Sequence, residues 1–174
     1  DAAICAKGLL DYYKINNSSE LLDAAKSLLT WIVPAINNDG TVLPYKNLES
    51  NNFEEDSDVW YRKKGNLHIK ISIPFVQMYE LTRDESFLNV AKKLCNTYPK
   101  YVQRDGSLSM HENTDVINLH TLSYALEGLL FSYASTGSNQ YLECCMNCLN
   151  WCSKQIDNDG SINLWFNSKH SSKS

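Results

Sequence analysis

The sequence lacks any run of about 18 apolar residues, so it offers no membrane-crossing helix, and a membrane partner is not expected. It also lacks a Lys/Arg run. With a formal charge of -4 and a pI near 5.5, it has no concentrated basic face to displace phosphate counterions, which argues against a nucleic-acid partner. A charged start followed by an apolar stretch, the mark of a secretory leader, is missing too, and a cytoplasmic location is expected. The composition of a disordered chain is likewise absent: 43% hydrophobic and 21% charged residues suit one soluble domain with a real core.

Cysteine is present without a disulfide pattern. Cys144, Cys145, Cys148 and Cys152 crowd onto one predicted helix, where neighbours rarely have bridging geometry. Cys145, Cys148 and Cys152 at i, i+3 and i+7 would admit a metal or iron-sulfur site, but such sites usually take thiolates from loops. Cys145 aligns with Ala91 and Ala25, and Cys148 with Leu94 and Leu28, so the positions read as core. Neither a metal nor another cofactor is expected.

What the chain does have is an internal repeat. Leu22, Ala25, Lys26, Leu28, Asp39 and Gly40 recur 66 positions later as Leu88, Ala91, Lys92, Leu94, Asp105 and Gly106. Tyr79, Leu88, Asp105 and Gly106 recur 54 positions later as Tyr133, Leu142, Asp159 and Gly160. Within each copy, apolar residues fall at helical spacing, as in Leu119, Leu122, Leu126, Leu129, Leu130 and Tyr133. Three helical hairpins at about 2–40, 66–106 and 118–160 account for nearly all of one domain at 1–166, and a disordered tail is expected at 167–174. The fold class is all-α, with short extended segments after the Asp-Gly turns.

The first helix starts without a capping turn, so upstream sequence is expected. Ser18 and Ser138 are placed to cap the second helices, after connections of four or five residues. The second hairpin is expected to run as a helix from His68 to Leu81, a turn, and a helix from Glu85 to Tyr98. Residues 47–58 read as a long exposed loop. Because connections within hairpins are short and those between hairpins long, the long ones must gather at one end of the helices. A pocket is expected there, beside helix N-termini that favour anionic or oxygen-rich ligands.

Two copies open with the same tripeptide, Asn66-Leu67-His68 and Asn118-Leu119-His120. His120, Tyr124 and Glu127 then follow i, i+4 and i+7 along one helix, a stripe that would supply a general acid and base. The competing reading is structural: Asn and His cap the helix starts, and Glu127 bonds a neighbouring helix. Asp58 follows the carboxylates Glu54, Glu55 and Asp56 and precedes Trp60, Tyr61 and Arg62, a set able to stack on a sugar and grip a carboxylate. A solvated acidic loop is the plainer account. His111, Glu112 and Asp115 occupy the matching loop of the next copy. The resulting candidates are His68, His120, Tyr124, Glu127 and Asp58 for catalysis, and Trp60, Tyr61, Arg62, His111, Glu112 and Asp115 for substrate binding.

Tyr79-Glu80-Leu81-Thr82-Arg83-Asp84-Glu85-Ser86-Phe87-Leu88 with Arg104-Asp105-Gly106-Ser107-Leu108, and Tyr124-Ala125-Leu126-Glu127-Gly128-Leu129-Leu130 with Asn158-Asp159-Gly160-Ser161, resemble hairpins of the (α/α) toroid of six-hairpin glycosidases. Unsaturated glucuronyl hydrolases, N-acylglucosamine epimerases and glucuronyl epimerases share that scaffold. The resemblance implies a toroid arc and a carbohydrate-active protein, leaning to a glycoside hydrolase or sugar epimerase. It would process or bind an oligosaccharide, uronic-acid-containing chains among those the resemblance implies, in a cleft at the long-loop end. A noncatalytic helical-repeat module binding a protein is the alternative. An open arc would also leave apolar flanks, to be hidden by self-association, by pairing with further sequence, or by folding back the segment around Trp165 and Phe166.

Overall fold

The computed structural model describes residues 1–56 and 58–167; the tail expected to be disordered lies outside them, save Asn167. Six helices form three antiparallel hairpins: α1 (Ala2–Asn16) with α2 (Ser19–Ile32), α3 (Ser72–Thr82) with α4 (Glu85–Cys95), and α5 (Leu119–Thr136) with α6 (Asn139–Ser153). α3 packs between α1 and α5, so the first helices make one layer of an arc and each second helix lies against its own partner.

Each hairpin turns through two residues rather than the expected four or five: one in the left-handed region (Asn17, Arg83, Gly137), then one extended (Ser18, Asp84, Ser138). The left-handed residue ends one helix and the extended one starts the next, so nothing more is needed. Asp84 caps α4, accepting from the Ser86 amide at 3.0 Å. The hydroxyls of Ser18 and Ser138 do not cap, contrary to expectation. Their backbone carbonyls instead accept the Leu21 and Tyr141 amides at 3.1 and 3.0 Å.

At the other end, all three Asp-Gly turns close in one way. Asp39 accepts from the amide and hydroxyl of Thr41 at 3.1 and 2.7 Å, Asp105 from Ser107 at 3.0 and 2.6 Å, and Asp159 from Ser161 at 3.0 and 2.7 Å. Between each Asp and its Ser or Thr stands a glycine at φ 84°, 91° or 84°, a region costly for any residue with a Cβ.

The long connections are more ordered than the sequence suggested. The start of the expected loop at 47–58 is the turn of a hairpin between β1 (Tyr45–Lys46), just before it, and β2 (Phe53–Glu54), inside it, antiparallel with Tyr45 opposite Glu54. β3 (Ile117–Asn118) pairs antiparallel with β4 (Trp165–Phe166), and Phe166 packs edge-on against Trp151 at 4.9 Å. The terminal segment therefore folds back on the third hairpin.

The core lies in two parts, one between the first two hairpins around Leu10, Leu29, Phe75 and Met78, the other between the last two around Ile69, Leu122, Leu129 and Trp151. Cys144, Cys145 and Cys148 fill the second part, where the Cys145 thiol donates to the Leu126 carbonyl at 3.7 Å. Among the described residues, no helix is long and apolar enough to cross a membrane.

The second hairpin departs most from expectation. His68 is not in an α-helix: residues 66–71 form a 3₁₀ segment, and α3 begins only at Ser72. Pro74 explains the delay, because it has no N–H for the Lys70 carbonyl and its ring would crowd that carbonyl. Starting at Ser72 puts Pro74 in the first turn, where the missing donor is harmless. The 3₁₀ backbone lies directly on α5 at Gly128, where a Cβ would stand 2.5 Å from the Ile69 carbonyl oxygen. Ser72 adds a hydroxyl bond to the Gly128 carbonyl at 3.3 Å. Gly128→Ala should therefore destabilise the chain by about 2 kcal/mol or more, although alanine is the better helix former. Urea unfolding of the two proteins checks this; an unchanged or higher midpoint would show that the contact yields.

Candidate functional site

A cavity of about 650 Å³ opens at the end of the arc where the long connections gather. Its walls come from the start of α1, the end of α2, the β1–β2 hairpin, the 3₁₀ turn Trp60–Arg62, the 3₁₀ segment before α3, and Tyr124 of α5. Five aromatic side chains line it: Trp31, Tyr45, Phe53, Tyr61 and Tyr124. Four cations join them, Lys7, Lys46, Arg62 and Lys70, and Asp1 is the one carboxylate among the described lining residues.

Each cation is held in place. The Arg62 guanidinium lies over the Tyr45 ring at 4.6 Å and pairs with Asp56 at 3.4 Å. Lys46 sits over Phe53 at 4.7 Å. Lys70 lies 3.7 Å from the centre of the Tyr124 ring and pairs with Glu127 at 2.8 Å. Lys7 pairs with Asp11 at 2.6 Å. These carboxylate partners stand outside the lining, so the wall turned to the cavity is cationic and aromatic.

His68 is buried, and its Nε2–H donates to the Lys63 carbonyl at 2.8 Å. Burial holds its imidazole far down, at about 4, and the Lys63 carbonyl offsets only part of that. A neutral ring with Nε2 occupied leaves Nδ1 as a hydrogen-bond acceptor. His111 is pinned one residue along, donating from Nδ1 to the Lys64 carbonyl at 2.9 Å, and burial likewise lowers it. Its Nε2 is buried with no hydrogen-bond partner among the described residues. Gly65 permits this approach: a Cβ there would stand 2.6 Å from the Met110 carbonyl oxygen and 2.8 Å from His111 Nδ1.

Of the sequence candidates, Tyr61, Arg62, His68 and Tyr124 line this cavity. His120 stacks on Tyr124, ring centres 4.2 Å apart, and Glu127 reaches the wall through Lys70. The stripe His120, Tyr124, Glu127 thus exists, but on the accessible side of α5: His120 and Glu127 are exposed and Tyr124 half-buried. Trp60 is turned away, edge-on to Tyr61 at 5.4 Å and to Trp165 at 6.2 Å. Asp58, Glu112 and Asp115 are exposed, and none of them, nor His111, is among the lining residues.

The two Asn-Leu-His tripeptides part company. Asn118 caps α5, accepting from the Thr121 amide at 3.0 Å, whereas Asn66 is buried with both side-chain polar atoms unpartnered among the described residues. Lys7, Lys46, Lys70, Trp31, Tyr45 and Phe53 are the cationic and aromatic lining residues that sequence reasoning missed. Lys70 had one available signal, its place two residues after His68 in the segment that opens the second hairpin.

No protein-family model matches the sequence, and no curated protein matches it. Solved structures do. A GH76 α-mannanase of Bacteroides thetaiotaomicron is 16% identical and superposes with a TM-score of 0.77 over 99% of this chain and 47% of that one. A sugar epimerase from a ruminal bacterium is 14% identical, with a TM-score of 0.74 over 90% of this chain and 42% of that one. The unsaturated glucuronyl hydrolase of Bacillus sp. GL1 is 13% identical, with a TM-score of 0.72 over 97% and 49%. The fold is that of the six-hairpin (α/α) toroids, and this chain, an arc of three hairpins, spans about half the length of the structures it matches.

The buried His68 carries a stability consequence. It stays neutral in the folded chain down to about pH 4 but is protonated below about 6.5 when unfolded, so the unfolded state binds the extra proton between those values. Stability is therefore full above about pH 6.5 and should fall by about 3 kcal/mol as the pH drops toward about 4. His68→Asn should remove most of that slope in urea titrations across this range, leaving the smaller part due to His111. An equal slope in both proteins would contradict the assignment.

Proposed function

We propose that the cavity takes an acidic oligosaccharide, a chain of sugars bearing carboxylates, and that the protein processes it as a glycoside hydrolase or sugar epimerase does. The observation that carries this reading is the lining itself, in which aromatic faces alternate with fixed cations. Sugar rings stack on aromatic faces through their C–H surfaces, and a guanidinium already oriented by Tyr45 and Asp56 can grip a carboxylate without losing much freedom. The matched α-mannanase, epimerase and glucuronyl hydrolase all act on sugars, and an inactive α-1,6-mannanase variant of the same fold holds α-1,6-mannotriose. That likeness supports a carbohydrate, and the cations of this chain favour an acidic one.

Within this reading, Arg62 and Lys46 bind the carboxylate, and Trp31 and Tyr61 stack on the rings. His68 accepts a sugar hydroxyl through Nδ1 and stays neutral at physiological pH. Tyr124, held between Lys70 and His120, faces the bound sugar and is the proton-transfer group, with His120 and Glu127 in support. Asp58, Trp60, His111, Glu112 and Asp115 form the outer rim, where a longer chain would emerge.

Calorimetric titration with a glucuronate-containing tetrasaccharide and with its neutral, carboxyl-reduced counterpart tests the reading. The acidic sugar should bind and the neutral one should bind more weakly. Arg62→Ala should weaken the acidic sugar by about tenfold to a hundredfold, the worth of a charge-assisted bond. Equal affinity for both sugars, or no effect of Arg62→Ala, would remove the acidic substrate.

A further inference from the structure

Gln77 is polar at a place where packing asks for an apolar residue. It lies in the middle of α3 between Val76 and Met78, only 2% exposed, and its Oε1 is buried with no hydrogen-bond partner among the described residues. A buried acceptor without a donor is destabilising, so the fold alone gives no reason for this side chain. The position 54 residues later, at the same place in the third hairpin, is Phe131, which packs on the core. The position 66 residues earlier is Asp11 on α1, and there the two hairpins meet: Gln77 Nε2–H donates to Asp11 Oδ1 at 2.8 Å.

Asp11 in turn holds Lys7. Its other oxygen, Oδ2, accepts from the Lys7 ammonium at 2.6 Å, one turn back along α1, and Lys7 lines the cavity. Burial alone would raise the Asp11 carboxyl, but the bonds from Lys7 and Gln77 outweigh it and hold the group below its ordinary range, so it remains a carboxylate. An ammonium has three N–H donors, and Asp11 takes one. The arrangement matches that of Arg62, a lining cation whose carboxylate partner, Asp56, also stands outside the lining. Arg62 and Lys46 belong to the wall made by the 3₁₀ turn and the β1–β2 hairpin, whereas Lys7 belongs to the helical wall of α1.

We propose that Lys7, positioned by Asp11 and Gln77, is a second anion-binding point of the cavity, so that the ligand is a sugar chain charged on at least two of its units. This rests on the acidic oligosaccharide proposed for the cavity and narrows it: Arg62 and Lys46 take one carboxylate, and Lys7 takes another. Gln77 touches no sugar. It is a positioning residue that acts through Asp11, and the unpaired Oε1 is the stability given up for that role.

Calorimetric titration of the whole chain with two tetrasaccharides, one carrying two glucuronates and the other a single glucuronate, tests this. The first should bind about tenfold tighter, the worth of one charge-assisted bond. Lys7→Met should bring the two sugars within about twofold of each other by weakening the first, whereas Arg62→Ala should weaken both. Gln77→Met should weaken the doubly charged sugar about threefold, and not at all once Lys7→Met is present, since a positioning residue has no effect without the group it positions. Lys7 is part-exposed, so Lys7→Met decides the binding point even if Gln77→Met fails to fold. Equal affinity of the native chain for the two acidic sugars, or a Lys7→Met loss shared by both, would overturn the proposal and leave the acidic substrate standing. Failure of either to bind better than a carboxyl-reduced tetrasaccharide would remove the acidic substrate and this proposal with it. A Gln77→Met effect that persists without Lys7 would overturn the positioning role.

Discussion

The architecture turns on the contact between the Ile69 backbone and Gly128. At most helix crossings side chains keep backbones about 8 to 10 Å apart, whereas here the absence of a Cβ lets the 3₁₀ segment rest on α5. That approach brings Lys70 against Tyr124 and Glu127, and it seats His68 two residues earlier in the chain. A larger residue at 128 would push the segment outward and open the wall of the cavity along with the core behind it. Gly128 and Pro74 act together: proline delays the α-helix, and glycine accepts the backbone that the delay leaves uncoiled.

The repeat puts all the variable chemistry at one end. Two-residue connectors and shared Asp-Gly turns leave no freedom at either helix terminus, so differences between hairpins are confined to the segment after each Asp-Gly turn. In the first hairpin that segment is a β-hairpin carrying Tyr45, Lys46 and Phe53; in the second it is the loop that drops His111 behind Gly65. Two consecutive carbonyls, those of Lys63 and Lys64, take the ring N–H groups of the buried His68 and the half-buried His111. These neutral contacts hold the rim together with the Arg62–Asp56 and Lys64–Glu55 ion pairs, and the burial of His68 makes the segment sensitive to acid.

What could be read in the sequence is what local chemistry decides. The helix pairs follow from apolar spacing, and the Asp-Gly turns from side chains that bond two residues on. The end bearing the cavity followed from connection lengths alone. Tyr61, Arg62, His68 and Tyr124 could be singled out as residue types suited to sugars. Lys70 could not be joined to Tyr124 and Glu127, because over 50 residues separate them and only the packing of α3 beside α5 brings them together. The β1–β2 hairpin was hidden because its strands are two residues long, too short for alternation to show. The two Asn-Leu-His copies looked equivalent, and they differ because only the second hairpin has a proline six residues after its histidine.

The central claim is that the sugar enters this cavity and not the loop surface beside it. The four tryptophans report on the difference, since Trp31 lines the cavity, Trp60 and Trp165 meet on the outer side, and Trp151 is buried in the core. Their indole N–H signals can be followed by nuclear magnetic resonance during titration with an acidic oligosaccharide. Entry into the cavity predicts a saturable shift of the Trp31 signal, with Trp151 unmoved. Saturable shifts confined to Trp60 and Trp165 would contradict it, and would place the carbohydrate on the rim.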